Sequence, residues 1–226
     1  MEFFIVYGLV IISILITLGA QAFISSSYNK YSKVNTEKTM TGAEVARKLL
    51  DKHGLKDIKV QQVQGYLSDH YDPKNRVIRL SDGIYGKSTI AAVSVACHEC
   101  GHAIQDKNGF LFLRIRSTLV PFANICSYLG YIAILIGSLM SFLGLVWVGI
   151  IAEMVILLFQ LVTLPVEFDA SKRGLKEVKE EKILNNKELK GGKTMLTSAA
   201  LTYVASLATT IIQILRLILI YGRRND

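Results

Sequence analysis

Cysteine is scarce in this 226-residue chain, which contains only three. In a chain of this composition they indicate reduced thiols in a cytoplasmic or intramembrane setting rather than disulfides. Cys97 and Cys100 form a C-x-x-C pair around His98, and a redox role or an additional metal site is one interpretation of that pair. Because no second pair accompanies it, we expect small buried residues there instead.

Charged side chains are nearly absent from long parts of the sequence. The uncharged or almost uncharged stretches are Phe3–Ile24, Leu119–Leu164 and Ala199–Tyr221. About 20 apolar residues cross a bilayer, so the first stretch predicts one span and the second predicts two spans, with a break near Gly137 and Ser138. The third stretch carries Arg216 and predicts a fourth span less clearly. With 51% hydrophobic residues, the chain is not an ordinary soluble domain.

Lysine and arginine are missing before the first apolar stretch. The later tripeptide Ala20-Gln21-Ala22 resembles a signal-peptidase site, but a secretory signal begins with a basic segment. We therefore expect a retained membrane anchor.

Basic residues are concentrated elsewhere, because 23 of the 26 lysines and arginines lie within Ser25–Ser117 and Pro165–Met195. Cytoplasmic loops of membrane proteins carry such an excess, so we expect both segments in the cytoplasm. The terminal pair Arg223-Arg224 indicates the opposite, or a last helix that does not fully cross. The net charge of +8 does not indicate a nucleic-acid partner, since no nucleic-acid-binding motif accompanies it and anionic lipid headgroups explain it better.

Histidine is also scarce, yet two of the four histidines stand in the H-E-x-x-H pattern His98-Glu99-Cys100-Gly101-His102. Ser88 as N-cap and the apolar run Ile90–Ala96 predict a helix here. Residues i and i+4 share a helix face, so both histidines can bind one metal ion, and Glu99 can take a proton from water. The pattern is typical of zinc peptidases, and two hydrogen-bonded core histidines are the alternative. Gly101 indicates that another segment packs closely.

Two histidines leave a catalytic zinc site one protein ligand short. Glu167 is the preferred third ligand, because Pro165 predicts the start of a helix at the cytoplasmic membrane boundary. Glu153 is the rival, since an acid inside a span is a functional candidate by default. However, it lies about 20 Å of helix away and deep in lipid, where pairing with Arg216 is a simpler explanation.

Between the first and second apolar stretches the pattern predicts a small α+β domain. Thr41-Gly42-Ala43-Glu44 opens a helix that ends beside His53, which we expect to be solvated. Ile58–Tyr66 alternates like a strand, and Tyr66–Leu80 predicts a hairpin with its turn at Asp72–Asn75. An exposed edge of this hairpin could pair with an extended peptide, and a purely structural hairpin is the alternative.

Five segments carry a resemblance to a known family: Tyr66–Pro73, Val77–Ser81, Ser88–Ala92, His98–Gln105 and Pro165–Arg173. They resemble the YugP-type neutral zinc metallopeptidases of bacterial membranes over nearly the whole chain. More distantly, the chain is similar to the HtpX and CAAX-prenyl-protease group, which pairs H-E-x-x-H with a downstream E-x-x-A-D.

The resemblance implies that His98, His102 and Glu167 bind zinc and that Glu99 is catalytic. Ser171 stands where the wider group has aspartate. If that aspartate orients a ligand histidine, then Ser171, Asp169 or another group must do so here.

The sequence thus predicts an α-helical polytopic membrane protein with a small α+β zincin-like metallopeptidase domain between the spans. The predicted segments are an anchor at 1–24, the zincin-like domain with hairpin and motif helix at 25–117, two spans at 118–164, a cytoplasmic helix with the third ligand at 165–195, and a C-terminal helix at 196–226.

The predicted function is that of a zinc metalloendopeptidase with one Zn²⁺ per chain, in a bacterial plasma membrane with its active site facing the cytoplasm. The expected partners are a protein or peptide substrate and the lipid bilayer. Tyr203 and His70 are candidates for stabilising the oxyanion, although an interfacial aromatic also explains Tyr203. The alternative function is a catalytically silent metal-binding or scaffold protein, against which the presence of Glu99 argues.

Overall fold

The fold is taken from a computed structural model that describes residues 2–222. Within that range the chain forms six helices and three strands. The helices are α1 (Glu2–Tyr31), α2 (Gly42–Lys52), α3 (Ile90–Lys107), α4 (Leu111–Leu139), α5 (Leu143–Glu180) and α6 (Asn186–Tyr221). The strands are β1 (Lys59–Val63), β2 (His70–Asp72) and β3 (Val77–Ser81). The pair Arg223-Arg224, which bore on the predicted orientation, lies outside the described residues.

In the described part of the chain, four helices are long and apolar enough to cross a membrane: α1, α4, α5 and α6. They contain the stretches that the sequence marked as nearly free of charge. The turn between α4 and α5 lies at residues 140–142, a few residues after the predicted break, and Ser141 there has a positive φ of 54°. The protein is therefore mostly helical, with four candidate membrane-spanning helices and a small sheet.

The predicted helix start at Pro165 is wrong, because α5 runs through this residue without interruption. Proline is favourable at a helix start, but it can also lie inside a long helix when its neighbours compensate for the missing N–H donor. The predicted segment 165–195 therefore holds the end of α5 at Glu180 and the beginning of α6 at Asn186. Likewise, α1 continues to Tyr31 instead of ending near residue 24.

The chain divides into two compact units. Among the described residues, one unit comprises 2–21, 112–164 and 201–222, and the other comprises 22–111 and 165–200. We call them the span unit and the sheet unit.

Apolar side chains of α5 and α6 pack together in the span unit. Val146 and Ile150 are buried against Ile214 and Leu217. The predicted pairing of Glu153 with Arg216 is absent from the described part of the chain, where the Arg216 Nε is buried without a hydrogen-bond partner.

The sheet unit is built on α2, α3 and a small mixed sheet. Thr41 is the N-cap of α2 and forms a capping box with Glu44, as the sequence predicted. Within the described residues the strand order is β1-β3-β2, with β1 parallel and β2 antiparallel to β3. Ile78 and Leu80 of the central strand are fully buried, in one core with α2 and α3.

The hairpin forms, but its first strand is shorter than predicted. Only His70–Asp72 pairs with β3. Before it, the Asp69 carboxylate accepts the Ser81 backbone N–H at 2.6 Å, so a side chain takes the place of a backbone partner. The turn lies where it was predicted, because the Asp72 carboxylate accepts hydrogen bonds from the backbone N–H and the side-chain amide of Asn75.

Helix α3 begins one residue later than predicted. Thr89, not Ser88, is the N-cap, and its Oγ1 accepts the Ala92 N–H at 3.2 Å. The Ser88 carbonyl instead accepts hydrogen bonds from the backbone N–H and the hydroxyl of Thr36. These contacts place the H-E-x-x-H residues in the middle of α3, between its two capped ends.

Candidate metal centre

Helices α3 and α5 touch backbone to backbone at two glycines. A Cβ on Gly101 of α3 would overlap the carbonyl oxygen of Ala170, and a Cβ on Gly174 of α5 would overlap the carbonyl oxygen of Cys97. The unusual Gly101 in the middle of a helix therefore has a packing reason, as the sequence indicated. One turn from Ala170 on the same face, Glu167 is brought over the histidines of α3.

Three side chains converge where these helices meet. The His98 Nε2 lies 3.3 Å from the Glu167 Oε2, and the His102 Nε2 lies 3.7 Å from the same oxygen. The two rings are nearly perpendicular, with an interplanar angle of 81°. In the described part of the chain, these three residues form a group whose ligand atoms all lie within 4.8 Å of one another, close enough to hold a metal ion.

The second nitrogen of each ring has its own partner. The His98 Nδ1 lies 3.0 Å from the Ser171 Oγ, and the His102 Nδ1 lies 3.0 Å from the Gln105 Oε1. An amide oxygen only accepts, so the Nδ1 of His102 is the donor to Gln105, and Nε2 is the ring atom that faces Glu167. Two imidazole nitrogens and one carboxylate oxygen are a donor set that suits zinc with one position left open.

Gln105 connects both helices at this site. It is fully buried, and its Nε2 donates hydrogen bonds to the Val166 carbonyl and to the Asp169 carboxylate, each at 2.8 Å. Asp169 also accepts a hydrogen bond from the Arg173 Nε at 2.5 Å. Gln105 was not among the site residues predicted from the sequence, although it lies three residues after His102 and thus on the same helix face.

Glu99 is buried beside the histidines, with 6% of its surface exposed. Burial raises the pKa of its carboxyl to about 7, and His98 opposes this shift while Glu167 and Asp69 reinforce it. The backbone N–H of Tyr71 on β2 also lowers the pKa. The short strand β2 thus lies close to the carboxylate, and a cation held by the histidines would favour its ionised form.

Other residues singled out in the sequence lie elsewhere. His70 is exposed on β2, with its Nδ1 2.8 Å from the Ser68 carbonyl oxygen and its Nε2 3.2 Å from Arg79. His53 is the C-cap of α2, and its Nε2 lies 3.1 Å from the Glu177 Oε2, so the ring is not simply solvated. Tyr203 and Glu153 belong to the span unit and are not among the grouped ligand residues.

The two cysteines that flank His98 in sequence are buried and free. Burial raises the pKa of the thiols of Cys97 and Cys100, which makes them poor nucleophiles and poor metal ligands. This agrees with the expectation of small buried residues.

Comparison with known proteins identifies the family to which the chain belongs. Residues 6–222 match the family model described as "Putative neutral zinc metallopeptidase", and the chain belongs to that family. It is 41% identical over 211 residues to a protein of Bacillus subtilis (strain 168) named "Putative membrane protease YugP", covering 93% of this chain and 94% of the relative. No solved structure matches the chain.

Proposed function

We propose that the protein is a membrane-embedded zinc metalloendopeptidase whose zinc is held by His98, His102 and Glu167. The observation that carries the proposal is the convergence of these three ligand atoms within 4.8 Å of one another, next to a buried Glu99. The family, described as zinc metallopeptidases, supports the same metal and the same class of reaction.

The residues around the ligands have distinct roles in this proposal. When bound, zinc supplies a Lewis acid that polarises the peptide carbonyl and lowers the pKa of water toward neutrality. Glu99 accepts the proton from the attacking water and later donates it to the leaving amine. Gln105 and Ser171 hold the two imidazole rings so that each Nε2 faces Glu167.

The sheet unit is the proposed zincin-like domain. Its mixed sheet precedes α3, and its edge strand β2 lies beside α3. The proposed third ligand lies on α5, which is itself a candidate membrane span.

The substrate class follows from location. Helices α1, α4, α5 and α6 are apolar enough to cross a membrane, and the Bacillus subtilis relative is named a membrane protease. We place the protein in a bacterial plasma membrane with the metal centre on the cytoplasmic side, where 23 of its 26 basic residues are expected. Proteins in that membrane, or attached to it, are the proposed substrates.

Glu99→Gln tests the reaction class. Because the amide cannot accept the proton, we expect cleavage of a fluorogenic peptide library to fall by about 10²–10⁴-fold while the zinc content is unchanged. Glu180→Gln, an equivalent exchange at an exposed site near the end of α5, is the matched control and should cleave like the wild type. Cleavage that survives in the Glu99→Gln protein with its zinc in place would exclude the proposed mechanism.

A further inference from the structure

An apolar groove runs between α5 and α6 within the sheet unit, with a volume of about 250 Å³. Its apolar walls come from both helices, and two lysines flank it. The groove is lined by Phe168 and Lys172 of α5 and by Lys193, Leu196 and Ala200 of α6, among others. Phe168 leaves 47% of its surface exposed, so the groove opens to the surroundings.

The two lysines are available to an anion. Among the described residues, neither Lys172 nor Lys193 forms an ion pair, and no acidic side chain lines the groove. Lys172 of α5 and Lys193 of α6 line the same groove, so both side chains face an anion that lies in it.

The positions of the two lysines along the chain indicate which kind of anion they contact. Residues 194–215 of α6 carry no charge, and Lys193 is the last charged residue before this run. Lys172 is the first lysine after the apolar part of α5. Lysines just outside apolar helices contact the phosphates of the headgroup layer, while neighbouring apolar residues contact acyl chains.

Ser171 shows on which side of the metal centre the groove lies. Its side chain lines the groove, and its Oγ contacts the Nδ1 of His98, whereas Nε2 on the other side of the ring faces Glu167. The groove therefore lies on the Nδ1 side of His98, and the Nε2 that faces Glu167 is on the other side of the ring.

We propose that the groove binds an anionic phospholipid, with the phosphate between Lys172 and Lys193 and the start of an acyl chain along Phe168, Leu196 and Ala200. The proposal uses the membrane location argued above but not the metal centre. A test that measures only lipid binding therefore separates its failure from a failure of the peptidase assignment.

The test measures binding of dioctanoyl phosphatidylglycerol to the full-length protein in neutral detergent by native mass spectrometry. We expect phosphatidylglycerol to bind more tightly than phosphatidylcholine of the same chain length. The pair Lys172→Gln and Lys193→Gln should weaken phosphatidylglycerol binding by about 30-fold, since each lysine near an anionic headgroup contributes a factor of about five. Size exclusion and circular dichroism check that the variant is folded.

The matched control is the pair Lys176→Gln and Lys190→Gln, which removes two charges from the same two helices outside the groove. It should bind phosphatidylglycerol like the wild type. Equal binding of the two lipids, or an equal loss in both variant pairs, would overturn the proposal. Displacement of the lipid by an equal concentration of inorganic phosphate would assign the site to a free anion, and displacement by an acidic peptide would assign it to a protein, so either result overturns it too.

Discussion

Ser171 is the side chain that orients His98, because its Oγ lies 3.0 Å from the Nδ1 of that ring. The wider group that this chain resembles has aspartate at the position. A hydroxyl can accept the same N–H hydrogen bond, but without a negative charge it strengthens the histidine as a ligand less than a carboxylate does. With serine in place of aspartate, the orientation of the His98 ring is therefore unchanged, but no negative charge lies next to its Nδ1.

Substitution of Ser171 tests this role. We expect Ser171→Ala to lower the zinc affinity by about 10-fold to 100-fold, as for other residues that support a metal-binding histidine, because Nδ1 loses its acceptor. Ser171→Asp should bind zinc at least as tightly as the wild type. The measurement is competition with a chromophoric chelator. Identical affinities for the alanine and aspartate variants would show that the contact does not orient His98.

The three proposed ligand residues show which parts of the candidate site could be predicted from the sequence. His98 and His102 are separated by one helical turn, so their common face follows from local geometry. Glu167 was chosen over Glu153 on its position relative to the apolar run, and the structure brings it within 3.3 Å of His98. The partner of His102 was not foreseen, because the pattern search stopped at the second histidine and Gln105 lies three residues further.

Among the elements, the contact between α3 and α5 brings the proposed metal ligands together. Gly101 and Gly174 let the two backbones touch, and at this separation the three candidate ligand atoms lie within 4.8 Å of one another. The separation is maintained by Gln105, which donates a hydrogen bond to the Val166 carbonyl across the contact. Any side chain between the helices would move Glu167 away from both histidines.

Gly101→Ala tests the contact. The added methyl group overlaps the backbone of Ala170, so we expect a loss of about 1–3 kcal/mol in stability together with weaker zinc binding. The matched control is Gly19→Ala in α1, where a Cβ meets no atom within 4 Å, and the substitution should be neutral or slightly stabilising. Thermal unfolding and zinc titration are the measurements. A Gly101→Ala protein as stable and as well loaded as the control would contradict the proposed contact.

Element boundaries were predictable where a local signal determines them. The capping box of Thr41 and Glu44 begins α2 where predicted, and the Asp72–Asn75 turn forms where predicted. The predicted helix start at Pro165 was wrong because the local preference of proline for the beginning of a helix was outweighed by the packing of α5, which continues through this residue. The first strand of the hairpin was also shorter than predicted, because the Asp69 side chain took a backbone donor from a residue twelve positions away. A contact between residues this far apart in the sequence cannot be predicted from a local pattern.

For the molecule as a whole, the proposed orientation requires both basic segments, Ser25–Ser117 and Pro165–Met195, to lie on one side of the membrane. The hairpin turn between β2 and β3 lies in one of these segments, and the turn between α4 and α5 lies in a loop without lysine or arginine. In the proposed topology, in which α1, α4 and α5 each cross the membrane, we expect these two turns on opposite sides of the bilayer.

Cysteine labelling tests the orientation. In a Cys126→Ser background we expect Lys74→Cys, in the hairpin turn, to be protected from a membrane-impermeant maleimide in intact cells. Ser141→Cys, in the turn between α4 and α5, should react in intact cells, and both sites are exposed enough to react after lysis. Labelling of the Lys74→Cys protein in intact cells would place the metal centre outside the cytoplasm.

The proposed metal centre is tested by the zinc content of the purified full-length protein and of its Glu167→Ala variant, measured by elemental mass spectrometry. Glu153→Ala, which removes an acid from the same helix, is the control. We expect about one zinc per chain in the wild type and in the control, and a large loss in Glu167→Ala, because two histidines alone leave the site incomplete. Zinc that is retained in Glu167→Ala, or absent from all three proteins after incubation with zinc, would contradict the proposed centre.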